Sequence, residues 1–320
     1  MSRIACVGII VADVLGKPID RFPGKGQLAL FDELVMATGG CATNTASSLA
    51  RMGYNAVVVG KVGADGFGRF VQYDLKSAGV DVSGIVTDRA TSTAFTFAAV
   101  ASDGERSFFH TQGANATFCL NDINMDIIKK SAAVVVGGTM LMQKFDGEET
   151  AAFLKKVRKL GKITVLDMAF NDRVKDWMKV IKPSMPFLDY FLPSYEEAAR
   201  ASGKSACAEI ARVFRNLGAK VVAIKLGEKG AYLVSESEEI RAPAYKVRAV
   251  DTLGAGDAWV AGFMAGIIEK LPLAEAVMLG NATAAHCVMA MGASVGVKKL
   301  SAIRRFQKIN RLKAEVKPLA

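Results

Sequence analysis

Short continuous apolar runs and longer amphipathic stretches take turns along most of this chain. Residues 3–11 are almost wholly apolar and lead to Asp13, the pattern of a strand covered on both faces. Between 14 and 37 the pattern breaks up around Pro18, Pro23, Gly24 and Gly26. Thr38-Gly39-Gly40 then leads into a helix over 41–52 with Asn44 in its first turn. A strand at 56–60 and a helix over 65–78, stopped by Gly79, come next. The stretches 92–101 and 105–111 are rich in Thr, Phe and Val and flank Asp103-Gly104, a hairpin signature. From 121 onward, helices over 122–130, 147–160, 174–181, 195–201 and 205–217 are interleaved with strands at 132–137, 163–167, 190–192 and 221–225. Strands at 231–234, 239–242 and 245–250 follow, and then two apolar helices over 255–269 and 273–291.

Strands separated by helices predict an α/β fold with a mostly parallel central sheet and right-handed crossovers. Ligands bind such sheets beyond the carboxyl ends of the strands. Asp13, Gly39-Gly40, Asp167, Pro193, Gly227 and Asp257 all fall at or just past such an end. The hairpin departs from the alternation. Together with 14–37, the segment 92–112 predicts a small β-sheet lid standing off the main sheet; an edge hairpin of the main sheet is the alternative. No repeat, low-complexity tract or linker divides the chain, so one domain over 1–320 with this lid is expected.

At 320 residues and 51% hydrophobic, the chain can bury a large core. A net charge of +10 permits anionic ligands such as nucleotides. The C-terminal cations Arg304, Arg305, Lys308 and Arg311 fit the solvated face of a last helix, and no aromatic-studded basic stripe that would stack bases accompanies them. Cys6, Cys41, Cys119, Cys207 and Cys287 are dispersed and odd in number, which reads as buried small residues in a reducing compartment. No apolar run approaches the ~18 residues of a membrane span, and residues 4–12 read as a strand rather than a leader. A cytoplasmic protein is expected.

No G-x-x-x-x-G-K-[ST] phosphate loop is present: Gly203-Lys204-Ser205 has Ala198 where the first glycine belongs. No G-x-G-x-x-G follows a strand, HExxH is absent, and the histidines are His110 and His286 alone. What remains centres on VDTLGAGDAWVAGF at 250–263. Gly254-Ala255-Gly256 would bring backbone amides to a ligand at a helix N-terminus, which favours an anion. Asp257 in the same turn would repel that anion. The pairing makes sense if the carboxylate takes a proton from a hydroxyl while the amides hold the charge on a transferring group; a plain helix-dipole partner is the alternative. Asp13 and Asn44, beside Gly39-Gly40, suit a polyhydroxylated ligand, or are simply strand-end and first-turn residues. Asn281 is either a core amide or a nucleotide contact. Glu197 is either a first-turn charge or an outer ligand to magnesium, and Lys225 either a surface residue or a phosphate neutraliser.

Over essentially its whole length the chain resembles the ribokinase-like, pfkB-type carbohydrate kinases. The segment 38–53, TGGCATNTASSLARMG, resembles the family's amino-terminal signature, and 251–257, DTLGAGD, its carboxy-terminal one. Segments 60–68, 227–230 and 279–293 fall in family order, and 291–298 resembles a bacterial sugar kinase subgroup. The resemblance implies a three-layer α/β/α sandwich with a β-sheet lid. It implies transfer of the γ-phosphoryl of ATP to a primary hydroxyl of a small sugar or sugar acid, with magnesium bridging the phosphates. Asp257 would be the base, and the amides of Gly254, Ala255 and Gly256 the anion hole. Asp13, Gly39, Gly40 and Asn44 would surround the sugar, and Lys225, Gly227, Gly230 and Asn281 the nucleotide. Gly113-Ala114-Asn115 would also touch substrate. The resemblance further implies a homodimer formed through the lid and, as in some relatives, a monovalent cation near Asp251 and Gly292. Ser194 stands where the family's N-x-x-E element has asparagine, while Glu197 keeps the acid and would reach magnesium through water. Two other readings are a nucleoside kinase, with Phe95, Phe97, Phe108 or Phe109 stacking a base, and a non-catalytic sugar or nucleic-acid sensor.

Overall fold

A computed structural model describes residues 2–319. The strand β1 (Arg3–Gly8) runs through the middle of the main sheet, sending Ile4 and Cys6 into one core and Ala5 and Val7 into the other. The chain then changes sheets. Asn115 grips the crossing point, donating Nδ2 to Ile10 O at 2.9 Å and accepting Ile10 N at 3.1 Å. Beyond it, β2 (Val11–Lys17) belongs to a second sheet. The apolar run expected as one strand is therefore two, and Asp13 is the third residue of β2 rather than the end of a main-sheet strand. Continuous burial on both sides of the break hides it from the apolar pattern.

β3 (Glu33–Gly39) pairs antiparallel with β2, and Gly53 in the left-handed region ends α1 (Cys41–Met52). β4 (Asn55–Gly63), α2 (Gly66–Ser77) and β5 (Asp81–Asp88) return the chain to the main sheet. The hairpin of β6 (Phe95–Val100) and β7 (Arg106–Thr111) forms as expected and completes the second sheet in the order β3-β2-β6-β7. It is not an edge of the main sheet.

The regular part comprises α3 (Met125–Lys129), β8 (Ala133–Thr139), α4 (Glu148–Lys159), β9 (Ile163–Met168) and α5 (Trp177–Ile181). It continues through β10 (Tyr190–Phe191), α6 (Tyr195–Ser202), α7 (Cys207–Asn216) and β11 (Val221–Lys225). β12 (Ala231–Val234) and β13 (Glu238–Ala242) then turn antiparallel. The chain closes with α8 (Ala255–Ile268), α9 (Leu273–Val288), α10 (Leu300–Asn310) and β14 (Glu315–Pro318). The main sheet runs β14-β13-β12-β11-β10-β9-β8-β1-β4-β5. Its β1, β4, β5 and β8–β11 are parallel.

Among the described residues, the segment 245–250 expected as a strand joins neither sheet, and β14 takes the free edge of β13. Two apolar cores flank the sheet. One packs α1, α2, α8, α9 and α10, the other α3 to α7, which makes the three-layer α/β/α sandwich that the resemblance implies. Among the described residues no helix is long and apolar enough to cross a membrane.

Candidate active site

The loop before α8 is fastened before the helix begins. Val250 N and Asp251 N donate to Val288 O at 2.7 and 3.2 Å, and the Asp251 carboxylate accepts Leu253 N and Gly292 N. Gly254 then turns the chain with φ 73°, and a Cβ there would lie 2.1 Å from Ala293 O. Only glycine meets both demands. Of the three amides expected to form the anion hole, those of Gly254 and Gly256 find no acceptor among the described residues. That of Ala255 donates to Thr252 O at 3.2 Å.

Asp257, in the first turn of α8, is buried between this loop and α1. Asn44 Nδ2 donates to its Oδ2 at 2.9 Å. Burial pushes the carboxyl up to about 6, against the opposing pull of Asn44, Lys225 and the Cys41 thiol. Lys225, at the end of β11, donates to both oxygens of Asp167, at the end of β9, at 2.7 Å each. Burial likewise pushes Asp167 up, to about 7, against Lys225's attraction. Burial alone would lower Lys225, but Asp167, Glu197 and Asp257 reverse this and hold it charged. The cleft thus sets three carboxylates around one ammonium, an excess of negative charge that a cation would relieve. Glu197 and Ser194 form a capping box at the start of α6: Glu197 Oε2 accepts Ser194 N at 2.8 Å, and Ser194 Oγ accepts Glu197 N at 3.4 Å. The hydroxyl in place of asparagine therefore serves the helix cap.

Lys225, Gly227, Gly230, Trp259 and Asn281 line a cavity of about 730 Å³ walled by α8, α9 and the loop segment 244–249. Asn281 shapes this wall with an amide already engaged, accepting Trp259 Nε1 at 2.7 Å and donating to Pro243 O at 2.9 Å. A second cavity, of about 970 Å³, holds Asp167, Ser194, Glu197 and Asp257. The two share Lys225, Gly227, Ala255 and Gly256.

On the far side of Asp257, Asn44 and Gly40 lead to Asp13. A Cβ on Gly39 would lie 2.0 Å from Asp13 Oδ2, so the carboxylate rests directly on that glycine's backbone. Burial raises Asp13, and a hydrogen bond from Thr96 works against this. Strand register puts Thr96 and His110 in line with Asp13 on one face of the second sheet, with Thr96 Oγ1 3.1 Å from His110 Nδ1. Asn115, expected at the substrate, is committed to Ile10 instead.

A model of the pfkB family of carbohydrate kinases matches residues 1–300. The chain belongs to this family. The 5-dehydro-2-deoxygluconokinase of Clostridium perfringens is 29% identical over 285 residues, covering 84% of this chain and 83% of that protein. The ribokinase of Staphylococcus aureus is 26% identical, covering 90% and 94%. Among solved structures, Thermotoga maritima ribokinase superposes with a TM-score of 0.83 at 25% identity over 96% of this chain and 100% of that one. The Arabidopsis thaliana ribokinase complex with ribose and ATP gives 0.85 at 23% identity over 96% and 99%.

In this carbohydrate kinase Asp257, Asn44 and Lys225 lie around one cleft, where the sequence had left each with an alternative reading. Asp167 stood among the strand ends expected at the site, but its pairing with Lys225 was not read, and Thr96 and His110 were not singled out. Asp167 carried a signal, a polar residue closing an apolar strand. Thr96 and His110 carried none until the pairing of β2 with β6 and β7 was known.

Proposed function

We propose that this carbohydrate kinase transfers the γ-phosphoryl of ATP to a primary hydroxyl of a small sugar or sugar acid, with Asp257 as the base. The observation that carries this reading is the position of Asp257 at the junction of two sides. Asn44 and Asp13 lie toward an acceptor, and Gly256 and Lys225 toward a nucleotide cavity. Burial holds its carboxyl near 6, so that at neutral pH it is ionised yet basic enough to take a hydroxyl proton. The unpaired amides of Gly254 and Gly256 face the charge that develops on the transferring group. Gly227 and Gly230 line the nucleotide side, and Asn281 supports it. Bound ATP with magnesium would supply the phosphoryl group and screen its charge. The surplus carboxylates fit a magnesium–nucleotide, with Glu197 the candidate outer ligand. No three acids among the described residues form a metal cage of their own, so phosphate oxygens would complete the ion's shell.

The second sheet is read as a lid, since one face carries Asp13, Thr96 and His110, and its exposed apolar residues as a homodimer surface. A sugar acceptor is favoured over a nucleoside. Phe95, Phe97 and Phe109 alternate onto the opposite face of that sheet, leaving Phe108 alone on the Asp13 side. The test is ADP release over a panel beginning with 5-dehydro-2-deoxygluconate, ribose and fructose and including nucleosides. Phosphorylation of nucleosides alone, or of nothing while DNA binds, would overturn the reading.

A further inference from the structure

The Asp251 carboxylate is surrounded by donors. Its Oδ1 accepts Leu253 N at 3.0 Å and Arg106 Nη1 at 3.1 Å, and its Oδ2 accepts Gly292 N at 2.9 Å. A monovalent cation needs the reverse, a ring of converging oxygens. Three carbonyls here already take donors: Val288 O the amides of 250 and 251, Cys287 O Ala290 N, and Ala293 O the Cys287 thiol. With the guanidinium against Asp251, the residues present do not fit the ion that the family resemblance attaches to this position.

We propose that the Arg106 guanidinium is the permanent counter-charge of Asp251, and that it positions the loop carrying the Gly254 and Gly256 amides. The ion pair is largely dry, with the two side chains 19% and 3% exposed. The guanidinium cannot lose its charge, so the site needs no exchangeable ion. Arg106 also reaches Met291 Sδ at 3.5 Å, so it touches both loop segments of the corner. It opens β7, and its register puts it on the same face of the second sheet as Asp13, Thr96 and His110. One sheet therefore contacts the acceptor side through Asp13 and the phosphoryl side through Arg106, which meets Asp251 three residues before Gly254. Removing the guanidinium frees the loop at its origin, and small displacements of groups that stabilise a transition state are costly.

This inference rests on the anion-hole reading of the loop, and two readouts keep their failures apart. The first is ADP release, with saturating magnesium–ATP and the best acceptor, in potassium, sodium or choline chloride at one ionic strength. The wild type is expected to turn over at the same rate, within about twofold, in all three, because its cation is covalent. Arg106→Ala and Arg106→Gln are expected to lose about tenfold or more in kcat with little change in the KM for ATP, and to recover part of it in potassium but not in choline. The second readout is the thermal midpoint in the same salts, which needs no turnover: potassium should raise it for the two variants and leave the wild type unmoved. Stimulation of the wild type by potassium over choline, or a potassium shift of its midpoint, would overturn the proposal. So would variants that match the wild type in kcat and midpoint. If instead the midpoints behave as expected while kcat is unaffected, the positioning half of the proposal falls, while the anion-hole reading of the loop stands or falls on Gly254→Ala.

Discussion

At Asp257 chemistry and stability pull in opposite directions. Its folded carboxyl sits near 6, above the ~3.9 of an unfolded aspartate. The native state therefore binds the proton more tightly than the unfolded chain does. Its contribution to stability is present below the unfolded value and is lost as pH rises through about 6. Catalysis runs the other way, since only the carboxylate can accept a proton. A profile of kcat/KM against pH should rise about tenfold per unit up to an inflection near 6; a flat profile from pH 5 to 8 would exclude Asp257 as the base. At pH 8, Asp257→Asn should lose roughly 10³-fold or more in turnover. The same variant should melt higher, by the equivalent of roughly 1–3 kcal/mol, because a buried charge is gone and an amide can still accept from Asn44. Lys225 and Asp167 pose the related problem of a pair. Lys225→Met strands Asp167 at the foot of the cleft and should cost about 3–5 kcal/mol in urea unfolding. Adding Asp167→Leu removes the stranded charge and should recover most of that loss, although turnover stays low.

Among the elements, the entry to α8 is the least forgiving. Gly254→Ala combines a left-handed φ with a Cβ 2.1 Å from Ala293 O, so the loop must shift and carry the adjacent amides with it. Gly256→Ala places its methyl 3.5 Å from Lys225 Nζ, an ordinary contact on a helical residue. The first should abolish measurable turnover and lower the thermal midpoint; the second should leave the midpoint unchanged and weaken ATP binding, read as KM. Equal effects would mean that backbone position is not what the glycines protect. The same elements mark what sequence can carry. Both α1 and the start of α8 were legible, because capping glycines and apolar periodicity are local signals. The strand expected at 245–250 was not, since alternation predicts an extended backbone but cannot say whether a partner lies beside it. The run 3–13 concealed a change of sheet for a similar reason, as burial on both sides of Ile10 looks alike in composition. Pairs remote in sequence, Lys225 with Asp167 and Arg106 with Asp251, leave no spacing to read.

For the molecule as a whole, the second sheet raises a question that the main sandwich does not. Its outer edge strand β3 is mostly exposed, and Leu34, Met36, Phe22 and Phe109 remain open to solvent, Leu34 and Phe109 at 58% each. A four-stranded sheet with apolar side chains exposed and an unpaired edge is a surface that proteins ordinarily cover. A second copy can cover it symmetrically, edge against edge or face against face. The species in solution should then have a mass near twice 34.0 kDa by light scattering at micromolar concentration. Leu34→Glu with Phe109→Glu should return it to the monomer without unfolding the sandwich, whose cores these residues do not enter. Because β2, β6 and β7 also present Asp13, Thr96 and His110, loosening the sheet should raise the KM for the acceptor more than that for ATP, which meets mainly α8, α9 and the 225–230 turn. A wild-type monomer would remove the dimer from this account. A monomeric variant with an unchanged acceptor KM would mean that the sheet holds its acceptor face without help from a partner.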